Sequence, residues 1–168
     1  MTLTMLNRLD LVQKLILVVI PLGLVHHTDH VGRADHSSWP FRPEIGPFTF
    51  TLLIYPVLVL VFLAPKGGWL RMVGLGLVSL FTLLAHILIE PPQQIYRTWA
   101  DNLSTPAPLY SVDPEHMHNL FGIESPLLGV LATIVTIALI VLLFVAWIVS
   151  IRDMRRTERE EHHAGRLA

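Results

Sequence analysis

The residues from Leu127 to Ile151 form the clearest apolar stretch of the chain, 25 residues without a charged side chain. A transmembrane helix needs about 20 predominantly apolar residues to cross the hydrocarbon core of a bilayer. This stretch is therefore predicted to span a membrane, with enough length to tilt. Hydrophobic residues make up 52% of the whole chain and charged residues only 15%, which is the composition of an integral membrane protein.

Three further apolar stretches precede this one. The first is the weakest, because its uninterrupted apolar core, Leu15 to Val25, has 11 residues and contains Pro21. Such a core resembles that of a signal peptide, but no small-residue cleavage site follows it, so we expect the helix to remain in the protein. The predicted architecture is a single membrane domain, 1–168, an all-α bundle of four transmembrane helices in up-down order. Its spans are about 9–27, 47–64, 69–90 and 127–151.

Two connecting regions complete this architecture. Residues 91–126 are predicted to form an outer loop with two short helices that lie on the membrane interface, because apolar and aromatic residues recur in this loop at helical spacing. The tail, 152–168, is predicted to continue the last helix into water. Two glycines in the third span, Gly74 and Gly76, are expected to allow a neighbouring helix to approach closely.

The distribution of positive charge predicts the orientation. If both termini lie inside, nine of the twelve Lys and Arg residues lie on the inner side, as the positive-inside rule requires. We therefore expect both termini in the cytoplasm, the plasma (inner) membrane as the location, and seven of the nine histidines on the outer side. The lipid bilayer is the first expected partner. Other membrane subunits are expected as partners if the chain is a subunit of a larger complex. A nucleic-acid partner is not expected.

Histidines and carboxylates concentrate where the first and third spans end and in the outer loop. His26 and His30 lie one helical turn apart, and so do His86 and Glu90, so each pair shares one helix face. Imidazole and carboxylate are ligands that suit zinc, copper and iron. The spacing matches no metal-binding motif. The candidate metal ligands are His26, His27, Asp29, His30, His36, His86, Glu90 and His116.

Three functions remain open from the sequence. The first is a divalent-metal-binding membrane protein with its site at the outer face. The second is a non-catalytic accessory or assembly subunit of a larger membrane complex, in which the histidines form hydrogen bonds or sense pH. The third is an electron-transfer subunit with one b-type haem, held by His86 and by His26 or His27.

Enzymatic activity is left open and is not favoured. The chain has no cysteine, which excludes disulfides, thiolate metal sites and cysteine nucleophiles. No zinc-protease helix, nucleophile turn or phosphate-binding glycine loop is present.

The sharpest structural expectation concerns distance: His30, Asp29 and His86 should lie within about one side-chain length of each other. The first and third helices run in the same direction, so their outer ends should meet at the same depth.

Overall fold

The computed structural model describes residues 7–33, 50–102 and 118–167, and these ranges contain helices and no strand. The all-α class is therefore confirmed for this part of the chain. The helices are α1 (Leu11–Arg33), α2 (Ile54–Leu63), α3 (Trp69–Leu84), α4 (Pro92–Ala100) and α5 (Pro126–Leu167). A π-helical turn, Ala85–Ile89, directly follows α3.

Three of these helices are long and apolar enough to cross a membrane: α1, α3 with its π-helical turn, and α5. Large apolar side chains on them point away from the protein, as shown by Leu77, 65% exposed, and Ile134, 55% exposed. In water such surface would be unfavourable, whereas lipid chains solvate it. The 42 residues of α5 extend about 63 Å. This is twice the thickness of a bilayer core, about 30 Å, so the charged end of α5 projects beyond the span.

The second predicted span, 47–64, corresponds in the structure to the shorter helix α2. That helix has 10 residues, about half the length that a full span requires. Residues 47–49 lie outside the described part of the chain. The count of four spans therefore stays a prediction, as does the placement of α4 and of the predicted outer-loop helices on the membrane interface.

Helix α1 continues through the histidine-rich stretch to Arg33, six residues beyond the predicted end at 27. Gly32 lies inside the helix and allows close packing. A methyl group at Gly32 would stand 3.2 Å from Phe121 and 3.4 Å from Trp99. The Gly32 carbonyl also accepts a hydrogen bond from the backbone N–H of Leu120 at 3.0 Å. Because Gly32 has no side chain, the rings of Phe121 and Trp99 pack closely against α1.

Helix α5 is the element against which α1, α3 and α4 all pack, while α2 packs against α1 and α3. Gly76 permits the close contact of α3 with α5, because a methyl group there would stand 2.9 Å from the Trp147 indole nitrogen. The buried apolar core lies between these helices. It consists of Val12, Ile16, Val19, Leu58, Val61, Leu75, Val78, Leu139, Leu143 and Ala146.

An ion pair joins the beginnings of α1 and α3. The Arg71 guanidinium is buried and donates to Asp10 Oδ2 at 2.6 Å and to the Ala64 carbonyl at 2.8 Å. Asp10 also caps α1 by accepting from the backbone N–H of Gln13 at 2.9 Å. Burial raises the pKa of the Asp10 carboxyl, but the hydrogen bonds from Arg71 and Gln13 outweigh it, so this pKa is lowered from its ordinary value.

Candidate metal centre

Four ionisable side chains meet at the opposite end of the bundle, where α1 and α3 finish. His26 and His30 lie one turn apart on α1, His86 lies in the π-helical turn, and Glu90 follows that turn. Each of the four is at most 6% exposed. We call these four residues the polar cluster. Ionisable groups inside an apolar bundle cost free energy unless they find partners, and here they find one another.

The distances within the polar cluster are short. Nε2 of His30 lies 3.2 Å from Nε2 of His26 and 3.1 Å from Oε2 of Glu90. Nδ1 of His86 lies 3.6 Å from the same Glu90 oxygen. The rings of His26 and His86 are in edge contact, with centroids 4.8 Å apart. One ligand atom each from His26, His86 and Glu90 therefore fit within 4.8 Å of one another.

These distances match those of a small coordination shell. Zinc binds nitrogen and oxygen at about 2.0–2.2 Å, and a tetrahedron of that size places its ligand atoms about 3.4 Å apart. Three separations in the polar cluster lie between 3.1 and 3.6 Å, while the ligand atoms of His26, His86 and Glu90 lie within 4.8 Å of one another. Hydrogen bonds between the same atoms produce similar distances, so the geometry accommodates either arrangement.

The π-helical turn places His86 and Glu90 in the polar cluster. Its widened hydrogen bond runs from the backbone N–H of Glu90 to the Ala85 carbonyl at 2.9 Å. Glu90 then leaves helical geometry, with φ −135° and ψ 78°. The local sequence explains this, because a proline at position 91 disfavours the α conformation of the residue before it. Turns of this kind occur frequently at functional sites.

A hydrogen bond to α5 sets the tautomer of His26. Nδ1 of His26 lies 3.1 Å from Oγ1 of Thr136, whose own hydroxyl proton goes to the Ala132 carbonyl at 3.0 Å. The threonine oxygen is therefore the acceptor, and Nδ1 of His26 carries the proton. In a neutral imidazole this leaves the lone pair on Nε2, which faces the polar cluster. This is the tautomer that a metal ligand needs, held by an outer hydrogen bond as in known metal sites.

Arg33 is fully buried and holds the other side of Glu90. Its Nη1 donates to Glu90 Oε1, while its Nε donates to Asp29 Oδ2 at 2.6 Å. The second oxygen of Asp29 accepts from the indole N–H of Trp99 at 2.7 Å. One Glu90 oxygen is thus bound to Arg33 and the other faces the imidazoles. Asp29, predicted as a candidate ligand, instead contacts Arg33 and Trp99.

His27 points away from the polar cluster, towards α2. Its Nδ1 lies 2.9 Å from the Gly23 carbonyl and 2.7 Å from the Tyr55 hydroxyl, and its Nε2 lies 3.0 Å from the Thr51 hydroxyl. Two further candidate ligands, His36 and His116, lie outside the described residues.

The sequence suggested that Arg33 pairs with Asp29, but it was not predicted to contact Glu90. Its spacing carries the signal: positions 26, 30 and 33 recur at the four- and three-residue intervals of one helix face. The role of Thr136 had a weaker signal, a polar group in the middle of an apolar span.

Comparison with protein-family models, curated proteins and solved structures finds no match to this chain.

Proposed function

We propose that this integral membrane protein holds one divalent transition-metal ion in the polar cluster. The proposal is supported by one observation above all: His26, His86 and Glu90, from two separate helices, are buried with one ligand atom each within 4.8 Å of the others. Nε2 of His30 is the fourth ligand, since it lies 3.2 Å from His26 Nε2 and 3.1 Å from Glu90 Oε2.

The donor set defines the chemistry of the ion. Three imidazole nitrogens and one carboxylate oxygen suit Zn²⁺, Cu²⁺ or Fe²⁺ and suit Mg²⁺ or Ca²⁺ poorly. Four protein ligands complete a tetrahedral zinc shell, which is the arrangement of structural and storage sites. We therefore propose a stabilising or storage role for the ion. Release of one ligand would open a position for water or substrate.

The geometry favours a single ion over a haem. Two axial imidazoles lie on opposite faces of a flat macrocycle, which must fit between them. The rings of His26 and His86 are instead in edge contact, and the Nε2 of His30 adjoins the same space at 3.2 Å from His26. A macrocycle would have to separate these rings.

Elemental analysis of protein purified without chelator tests the proposal. Wild type is expected to carry about one equivalent of metal, and a double variant, His30→Ala with His86→Ala, is expected to lose it. The matched control is His162→Ala with His163→Ala, because those two histidines are exposed on the tail of α5. The control should retain the metal of the wild type.

Folding of the double variant is checked by its helical circular dichroism and by its elution in gel filtration. A second measurement does not depend on any variant: Co²⁺ added to chelator-treated wild type should produce the strong visible bands of a tetrahedral site. Equal metal content in all three proteins, or wild type that takes up neither metal nor Co²⁺, would leave a hydrogen-bonded cluster. In that event the accessory-subunit function becomes the better account.

A further inference from the structure

Four exposed arginines follow directly on the apolar part of α5, and we call them the basic face. They are Arg152, Arg155, Arg156 and Arg159. An α-helix has 3.6 residues per turn, so these four positions fall within about 100° of arc around α5. Every acidic residue between positions 152 and 161 lies outside that arc. One side of the helix is therefore positively charged just beyond the apolar stretch.

Packing on another side of α5 fixes the direction of the basic face. The turn between α2 and α3 approaches α5 so closely that a methyl group at Gly67 would overlap the Thr157 side chain. Lys66 of the same turn has its Nζ 3.7 Å from Oδ1 of Asp153. Asp153 and Thr157 are half-buried. Because the turn occupies this side of α5, the basic face points away from the protein.

The basic face lies at the depth of the lipid headgroups. The uncharged stretch of α5 ends at Ile151, and a rise of 1.5 Å per residue places positions 152–156 about 2–8 Å beyond it. The headgroup layer is about 5–8 Å thick on each side of a bilayer. Trp69, three residues after Lys66, is 69% exposed. Tryptophan is enriched at the membrane interface, so Trp69 indicates the same depth on α3.

Positive charge exceeds negative charge at this depth. Asp153 is the one acid between positions 152 and 157, and Lys66 lies against it. The arginines of the basic face are therefore not neutralised by Asp153. Arg156 donates to Glu160 at 2.8 Å, but both side chains of this pair are exposed, 76% and 64%. An exposed pair of this kind is weak, so Arg156 can exchange its partner for a stronger one.

We propose that the basic face binds the phosphate groups of anionic phospholipids in the leaflet at this end of the bundle. A guanidinium suits phosphate because its planar fork of N–H groups matches the phosphate oxygens. Basic clusters beside a transmembrane helix are attracted to anionic lipid by its negative surface potential. A lipid is favoured over an acidic protein segment because lipid phosphates already lie at this depth, whereas a protein would have to enter the headgroup layer.

This surface goes beyond the proposed metal function and does not depend on it. The basic face lies at the end of the bundle where Asp10 pairs with Arg71, opposite to the polar cluster. Loss of metal binding would leave the lipid proposal intact, and loss of lipid binding would leave the metal proposal intact.

Native mass spectrometry of the full chain in a non-ionic detergent tests the proposal. Phosphatidylglycerol and phosphatidylcholine with the same acyl chains are added together at equal concentration and compete for the protein. Wild type should carry phosphatidylglycerol in preference to phosphatidylcholine by at least about fivefold, the factor expected for one arginine near an anionic surface. A quadruple variant should bring this ratio close to one. Its changes are Arg152→Gln, Arg155→Gln, Arg156→Gln and Arg159→Gln.

A second quadruple variant removes the same amount of positive charge from other positions. Its changes are Arg8→Gln, Lys14→Gln, Arg97→Gln and Arg166→Gln. This control should retain the preference of the wild type, because the basic face is intact. Helical circular dichroism and elution in gel filtration check the folding of both variants.

Three outcomes would overturn the proposal. Wild type without a preference for phosphatidylglycerol would show that the basic face is only solvated. Equal loss of the preference in both variants would show that net charge, and not the basic face, selects the lipid. Glycerol 3-phosphate, which has the phosphate without acyl chains, should not displace phosphatidylglycerol at equal concentration. Displacement by it would identify a site for soluble phosphate compounds in place of a lipid surface.

Discussion

The indole N–H of Trp99 donates a hydrogen bond of 2.7 Å to the carboxylate of Asp29 and so joins α4 to α1. The same carboxylate accepts from Arg33, and Arg33 in turn donates to Glu90. A continuous series of contacts therefore leads from the short helix α4 to an oxygen of the polar cluster. We therefore expect Trp99 to position Glu90, although it contacts no member of the cluster in these hydrogen bonds.

Trp99→Phe tests this positioning role. Phenylalanine preserves an aromatic ring for stacking on Phe121, where the centroids are 6.3 Å apart and the planes 11° from parallel, but it has no N–H. Loss of a hydrogen bond to a charged group is expected to lower the free energy of unfolding by about 2 kcal/mol. We also expect metal affinity to fall about tenfold, as for other outer partners of metal ligands. Thermal melting and a competitive metal titration measure the two effects.

Trp69→Phe is the control for that experiment, because Trp69 is 69% exposed. Its melting temperature and metal affinity should equal those of the wild type. A Trp99→Phe protein with wild-type metal affinity would show that Asp29 and Arg33 position Glu90 without help from α4.

Thr136→Val tests the tautomer of His26. Valine has nearly the same shape as threonine but cannot accept the proton of His26 Nδ1. We expect metal affinity to fall about tenfold, with helical content unchanged. Thr133→Val is the matched control, since Thr133 lies one turn away and donates to the Gly129 carbonyl at 2.8 Å. Equal losses of affinity in the two variants would mean that α5 packing, and not the hydrogen bond to His26, is responsible.

The spans and the meeting of the two helix ends could be predicted from the sequence because they follow from length and direction. A long uncharged, apolar stretch such as Leu127 to Ile151 is expected to form a membrane-spanning helix, because a helix satisfies its own backbone hydrogen-bonding groups within lipid. Two spans that run in the same direction bring His26 and His86 to one end of the bundle. Both inferences use only the rise per residue and the alternation of direction.

The choice of cluster members could not be predicted in the same way. His26 and His27 differ by one position, about 100° of rotation around α1, and the sequence alone does not fix that rotation. Contacts with Tyr55 on α2 and Thr136 on α5 fix it, and both are remote in sequence. Helix α1 also extends beyond the predicted span, to Arg33, which is buried against Glu90.

The ion pair of Asp10 and Arg71 predicts an acid-dependent part of the stability. The folded-state pKa of Asp10 is lower than its ordinary value of 3.8. Its contribution to stability is therefore complete above the unfolded pKa and is lost as pH falls through the folded pKa. Melting temperatures of wild type and Asp10→Asn should differ near neutral pH, and the difference should shrink at acidic pH below about 4. A difference that stays constant down to acidic pH would show that the pair contributes no pH-dependent stability.

The orientation of the chain can be measured with single cysteines, because the native sequence has none and gives no background. Gln93 is exposed at the end that carries the polar cluster, and His163 is exposed on the tail of α5. Positive charge on that tail should retain it in the cytoplasm, so a membrane-impermeant maleimide should label Gln93→Cys in intact cells. His163→Cys should react only after the cells are permeabilised. The reverse labelling would place the polar cluster on the cytoplasmic side, where the proposed ion would be taken from the cytoplasmic metal pool.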